Sequence, residues 1–153
     1  MGKMGKINYQ QLKDFERKLK TMQNPDVFVE SCAKELAARL LAKVIKRTPV
    51  GDYPNGSGKK GGTLRRGWTG EKRASASGYA DTLTVNHVGD KYVIEVINPV
   101  EYASYVEYGH RTANHKGWVP GVFMMTISEQ ELQAIAPKVL ERKIKKYMEG
   151  LTK

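Results

Sequence analysis

Residues 82–97 read TLTVNHVGDKYVIEVI, and this stretch decides the fold class. Side chains alternate in character from Thr82 to Val88, and Lys91 to Ile97 is rich in β-branched residues. Gly89-Asp90 separates the two runs as a two-residue turn, so the stretch predicts an antiparallel β-hairpin in a chain that otherwise reads as helical.

Upstream, Leu12, Phe15, Leu19 and Met22 recur at steps of three and four, which predicts a helix over 9–22. Asn24-Pro25-Asp26 then supplies a cap, a proline at the first helical position and an early acid. A second helix is expected over 25–47, turning Val29, Cys32, Ala33, Leu36, Ala37, Leu40, Leu41 and Val44 inward. Pro49 ends it, because the residue before a proline is pushed out of the helical region. Downstream, Asn98 is expected to cap a short helix with Pro99 at its first position and Glu101 three residues after the cap. Gly109 stops that helix. Residues 110–120 read as a polar loop and Gly121 to Ile127 as a third strand. Ser128 and Glu131 form an expected capping box for a helix over 129–149, kinked or restarted at Pro137. The order predicts one α+β domain spanning 1–153. In it a small, mainly antiparallel sheet packs against two N-terminal helices and one C-terminal helix.

The chain has 153 residues, 40% of them apolar and 27% charged, which suits a soluble globular domain with a core of its own. No apolar run approaches the roughly 18 residues of a membrane span. The start, MGKMGKINYQQLK, lacks an apolar signal core, so the chain is expected to stay in the cytoplasm of the cell that makes it. The single cysteine, Cys32, falls in an apolar helical stretch and is expected to be a buried, inert thiol.

The formal charge of +10 favours phosphate or acidic protein surfaces, but it is spread. Stretches 1–20, 59–73 and 138–153 each hold six Lys or Arg. The segment GDYPNGSGKKGGTLRRGW, residues 51–68, looks made for phosphate, yet it is no nucleotide cradle. The phosphate-binding loop needs a glycine five residues before its Gly-Lys pair and a Ser or Thr after the lysine. Here Lys60 follows Gly58-Lys59 and Tyr53 stands at the glycine position. With seven glycines between Gly51 and Gly70, residues 51–79 are expected to form a long flexible loop.

Catalytic and metal-binding constellations are likewise not expected. His110 and His115 stand five apart near His87, but no Cys or carboxylate joins them at a ligand spacing. Glu101 and Glu107, six residues apart on one short helix, are expected on opposite or oblique faces and so cannot flank one bond. Tyr102, Tyr105 and Tyr108, at three-residue steps, are expected to divide between core and surface.

The runs TPVG and GGTLRRGW, NPVEYASYVEYGHR, and WVPGVFMMTISEQEL together resemble a phage tail-component family, the tail-completion, tail-terminator and head–tail joining proteins of long-tailed phages. The resemblance covers about residues 30–135, with Trp68 standing where a small residue is common and a long insertion between Pro49 and Thr63. It implies a virion structural protein at the head-proximal end of a tail, made in the host bacterial cytoplasm, without enzyme activity or cofactor. It further implies a homo-oligomeric, hexameric ring that touches the tail-tube protein, head-completion or connector proteins, and the DNA passing non-specifically through its channel. On such a ring Lys59, Lys60, Arg65 and Arg66 would face the channel or a neighbouring ring. Tyr105, Trp118 and Phe123 are candidate subunit-interface anchors by aromatic character. The alternative is a free-standing basic nucleic-acid-binding protein, whose affinity would fall steeply with salt.

Overall fold

The computed structural model describes residues 25–59, 61–70 and 74–152, together with Gln10 and Lys13. The helix expected over 9–22 lies outside the described residues apart from Gln10 and Lys13, both helical. The organising element is α1, Pro25–Arg47, which matches the expected bounds. It opens on a proline with Asp26 in its first turn and closes on Lys46 and Arg47, so both ends complement the helix dipole. Ala37, Leu41 and Val44 enter the core, joined there by Leu64, Trp68, Ala80 and Met124. Cys32 is buried as expected, and burial pushes its thiol up, so it holds its proton.

Residues 51–79 contain more order than composition suggested. Two short helices, α2 (Thr63–Gly67) and α3 (Ala76–Thr82), interrupt the stretch. Leu64 and Trp68 are each only 4% exposed, so α2 is an anchored element. Ser75 caps α3 by accepting from the Gly78 N–H at 3.0 Å. The exposed, glycine-rich part is confined to residues 51–59 among those described.

The hairpin forms where expected, although its strands are shorter. β1 (Val85–Val88) pairs antiparallel with β2 (Lys91–Ile94) in the register Val85↔Ile94 and Val88↔Lys91. Gly89 adopts φ 64, the left-handed conformation that the tight turn demands. Tyr92 and Ile94 lean inward while Lys91 and Val93 face solvent. The hairpin is clasped to the start of α1, because the Tyr92 hydroxyl donates to the Asp26 carboxylate and His87 Nε2 lies 3.2 Å from Glu30 Oε1.

The second half departs from expectation in three places. Asn98 caps no helix: its Oδ1 accepts from the Val100 N–H at 3.1 Å and its Nδ2 donates to the Leu64 carbonyl at 2.7 Å. It thereby bolts α2 to the next segment, and a side chain at Gly67 would collide with it. The helix itself, α4 (Ala103–Tyr108), starts later.

The loop of residues 110–120 is in fact a second hairpin. β3 (Gly109–Arg111) pairs antiparallel with β4 (Trp118–Pro120), with His110 opposite Val119 and Arg111 opposite Trp118. Thr112 holds its connection closed, donating its N–H to the Gly117 carbonyl and accepting the Gly117 N–H, both at 3.0 Å.

The third strand expected over 121–127 is absent. Met124 instead begins α5 (Met124–Thr152), which runs unbroken past Pro137. The reason is the carboxylate of Glu107, which accepts from the N–H groups of Met125 at 2.8 Å and Thr126 at 2.9 Å and from the Thr126 hydroxyl at 2.7 Å. An anion at the first turn satisfies donors that would otherwise be orphaned, and so starts the helix there. The expected Ser128–Glu131 box is therefore inside the helix. Ser128 is fully buried and donates back to the Met124 carbonyl, while Glu131 pairs bidentately with Arg47.

α5 packs antiparallel to α1. Arg47 meets Glu131 at one end, Glu35 meets Lys143 at 2.9 Å in the middle, and Phe28 stacks on Tyr147 at 4.1 Å at the other. With two short antiparallel sheets among these helices, the fold is α+β, as expected.

Candidate functional site

Two of the residue sets singled out in the sequence take on clear geometry, one at the base of the glycine-rich segment and one on α4 and the second hairpin. At the first, Thr48 is the hub. Its Oγ1 donates to the Val44 carbonyl at 2.6 Å, accepts from Trp68 Nε1 at 2.8 Å and lies 3.4 Å from Met124 Sδ. Its carbonyl oxygen accepts from Arg65 Nε at 3.2 Å and from the Arg65 terminal nitrogen at 2.7 Å. A helix whose continuation Pro49 forbids leaves such a carbonyl without an intrahelical partner, and the arginine supplies one.

The described members of the cation set therefore differ in setting. Arg65 is half-buried and committed to Thr48. Arg66 is exposed and folds back on the Gly61 carbonyl and the Thr63 hydroxyl. Lys59 is exposed, 5.8 Å from the Tyr53 ring centre in a cation–π contact. Lys60 lies outside the described residues.

The second set is the aromatic one. α4 is six residues long and turns Ala103 and Val106 to the core. Three-residue steps advance about 300° around a helix, so Tyr102, Tyr105 and Tyr108 span only about 120° and share one face. All three are exposed, Tyr105 to 59% and Tyr108 to 63%, which corrects the expected division between core and surface. Trp118 is 59% exposed on β4, and Phe123 stands 41% exposed where the chain turns into α5. Tyr105 leans on His110 at 5.6 Å, and Tyr108 meets Phe123 edge-on at 6.4 Å. Phe123 holds φ 52, an unfavourable conformation for a bulky residue. Its N–H donates to the Glu107 backbone carbonyl at 3.0 Å, so the residue whose carboxylate starts α5 also holds the turn that leaves the ring at the surface.

Of the three tyrosines singled out in the sequence, only Tyr105 stands among the interface candidates there, with Trp118 and Phe123; the narrow arc of a three-residue repeat is what puts Tyr102 and Tyr108 on the same exposed face. Among the described residues no group of three or more His, Cys, Asp or Glu stands together as a metal site. His87 is paired on β1, His110 lies on β3 beneath Tyr105, and His115 sits in the hairpin connection. Glu101 and Glu107 are divided by role, one exposed in a turn and the other buried as the cap of α5. No helix of the described residues is long and apolar enough to cross a membrane.

Exposed aromatic side chains gathered on one short segment suit contact with other protein, since aromatics are enriched at interfaces. Residues 13–109, well over half of the chain, match the model of the HK97-gp10-like family, described as "Bacteriophage HK97-gp10, putative tail-component". The chain belongs to this family, and is thereby a structural protein of a phage tail and so of a virion. The match includes Thr48, Arg65, Trp68 and the three tyrosines and ends at Gly109, so Trp118 and Phe123 lie beyond it. No curated protein and no solved structure gives a match.

Proposed function

We propose that the chain is the subunit of a ring at the head-proximal end of a phage or phage-like tail, six copies closing around the DNA channel. The ring ends the tail tube and joins it to the head or neck, and it catalyses no reaction. Its partners are further copies of itself, the tail-tube protein, the head-completion or connector proteins, and DNA met non-specifically. The observation that carries this reading is the exposed run of Tyr102, Tyr105, Tyr108, Trp118 and Phe123, a concentration of aromatic side chains that suits contact with other protein. The anchored base of the glycine-rich segment supports it further. The Arg65–Thr48 contact ties the end of α1 to α2, so the exposed segment 51–59 between them, Lys59 included, is free to face the channel or an adjoining ring.

The test is electron microscopy of lysates in which the gene is deleted and then supplied in trans. Deletion is expected to leave heads and tails unjoined. Wild-type protein should restore particles, and Trp118→Ala should fail to restore them while keeping its helical circular dichroism. Joined, infectious particles without the gene would remove the chain from the neck.

A further inference from the structure

The inward face expected for α1 is only partly covered. Ala33, Leu36 and Leu40 remain half-buried and, with Val93, Val96 and Leu132, line an open groove of about 720 Å³ between α1, β2 and α5. Among the described residues, the charged ones lining it are Glu95 and Glu129, both exposed, and neither Lys nor Arg lines it. In a chain of net charge +10, an apolar groove whose described charged lining is acidic is a selective surface.

The second hairpin has the opposite chemistry. Residues 109–120 carry Arg111, Lys116, His110 and His115 and no acid. Arg111 is the register partner of the exposed Trp118. Among the described residues, none of the side chains of Arg111, Lys116, Glu95 and Glu129 has a polar partner within the chain. One surface is a basic aromatic projection, and the other is an acid-rimmed apolar depression wider than one aromatic ring fills.

Resting on the ring reading above, we infer that the β3–β4 hairpin of one copy docks in this groove of the next copy. Trp118 enters the apolar floor between α1 and β2, and Arg111 and Lys116 meet Glu95 and Glu129 at the rim. Pairing of the hairpin with itself across a two-fold axis would set Arg111 and Lys116 against their own copies, and like charges facing each other oppose association. A contact between two different surfaces is heterologous, and its repetition closes a ring when the rotation is right. The hairpin and the groove thus supply the head-to-tail contact that the ring requires.

A charge exchange tests this contact, using the full chain and sedimentation velocity. Glu95→Lys with Glu129→Lys reverses the groove, and Arg111→Glu with Lys116→Glu reverses the hairpin. All four positions are exposed, so both variants should keep the wild-type circular dichroism. Each variant alone is expected to self-associate at least roughly tenfold more weakly than wild type. An equimolar mixture should assemble as wild type does, because the reversed groove now fits the reversed hairpin in alternating subunits. Wild type that assembles while the mixture stays dissociated, or variants that assemble normally alone, would overturn the groove contact and leave the ring standing. Wild type that stays monomeric at every concentration would overturn both. As a second measurement, a photocrosslinking residue at position 118 in otherwise wild-type protein should link to residues 33–40 or 93–96 of an isotopically distinct copy. Links to the partner's hairpin instead would show a two-fold contact and defeat the proposal.

Discussion

The indole N–H of Trp68 donates to the Thr48 hydroxyl across 2.8 Å, joining the end of α1 to the helix that follows the glycine-rich segment. The pair is fully enclosed, with Thr48 at 0% and Trp68 at 4% exposure. The tryptophan therefore contributes both apolar volume and a satisfied polar group. Trp68→Phe is expected to cost about 1–3 kcal/mol, through lost volume and a weakened hub, and Trp68→Ala about 3–5 kcal/mol from the larger cavity. Urea unfolding of both variants checks the order. Equal costs would mean that the site collapses around either substitution.

The same enclosure bears on proteolysis. Composition alone makes Lys59, Lys60, Arg65 and Arg66 equivalent trypsin sites. In the structure Arg65 and Arg66 belong to α2, whose Leu64 is buried, whereas Lys59 is exposed on irregular backbone. Limited trypsin digestion is expected to cut after Lys59 or Lys60 well before Arg65, since cleavage requires local opening. Mass spectrometry of the first fragments decides it, and early cleavage after Arg65 would show that the hub opens readily.

What was legible in the sequence was whatever local chemistry determines. Pro25 and Pro49 bracket α1, and Gly89-Asp90 with alternating neighbours marks the first hairpin, so these were readable one residue at a time. The errors came from contacts between distant segments. Ser128 and Glu131 have the spacing of a capping box, yet the donors at the start of α5 are satisfied by Glu107, 18 residues upstream of Met125. Gly121 to Ile127 carries β-branched and aromatic residues, yet the turn at Phe123 and that carboxylate make its second half helical. The second hairpin was hidden because its strands are three residues each, too short for alternation to show. Within the candidate site, aromatic character marked Tyr105, Trp118 and Phe123, all of which are exposed, whereas the burial of Arg65 depends on a carbonyl 17 residues away and could not be read locally.

Glu107 is the most consequential of these distant contacts. It is 6% exposed and accepts three hydrogen bonds from the first turn of α5. Glu107→Ala leaves two backbone donors without a partner, and a stability loss of about 2–4 kcal/mol is expected. Glu107→Gln retains one acceptor oxygen and should lose less. Hydrogen exchange of the Met125 and Thr126 amides is the direct measure. Unchanged protection in the alanine variant would show that the helix start is held by packing alone.

Acid should loosen the α1–α5 pairing. Hydrogen bonding to Arg47, then Lys43, holds Glu131 below the usual carboxylate range. Hydrogen bonding to Lys143 does the same for Glu35 against an opposing effect of burial, with Arg39 assisting. A carboxylate depressed in the folded state contributes stability that is present above the unfolded value of about 4.3 and is lost as pH falls through the folded value. Melting temperature is therefore expected to be flat near neutrality and to fall below about pH 4.5. Both carboxylates are partly exposed, so the effect should be modest and should shrink further in salt. Arg47→Met together with Lys143→Met should flatten the acid limb; an unchanged limb would assign the acid sensitivity to other carboxylates.

The last expectation separates the basic residues by what they hold. If Lys59 and Lys60 meet DNA in a channel or an acidic neighbouring ring, their role is electrostatic, because lysines in a glycine-rich segment present no fixed geometry to base edges. In the proposed ring such contacts would also be weak, since DNA would have to slide through it. Lys59→Ser with Lys60→Ser should leave stability within about 0.5 kcal/mol and lower the yield of joined, infectious particles. Arg65→Ser is a different change. It removes two charge-assisted hydrogen bonds from the buried end of α1, so a folding cost of about 1.5–3 kcal/mol is expected, with particle loss following from instability. Measuring melting temperature and particle yield on the same variants divides the two effects. Wild-type yield from the double lysine variant would reduce the loop's charge to a solubility feature. A full-strength fold in Arg65→Ser would mean that water replaces the guanidinium at the Thr48 carbonyl without loss.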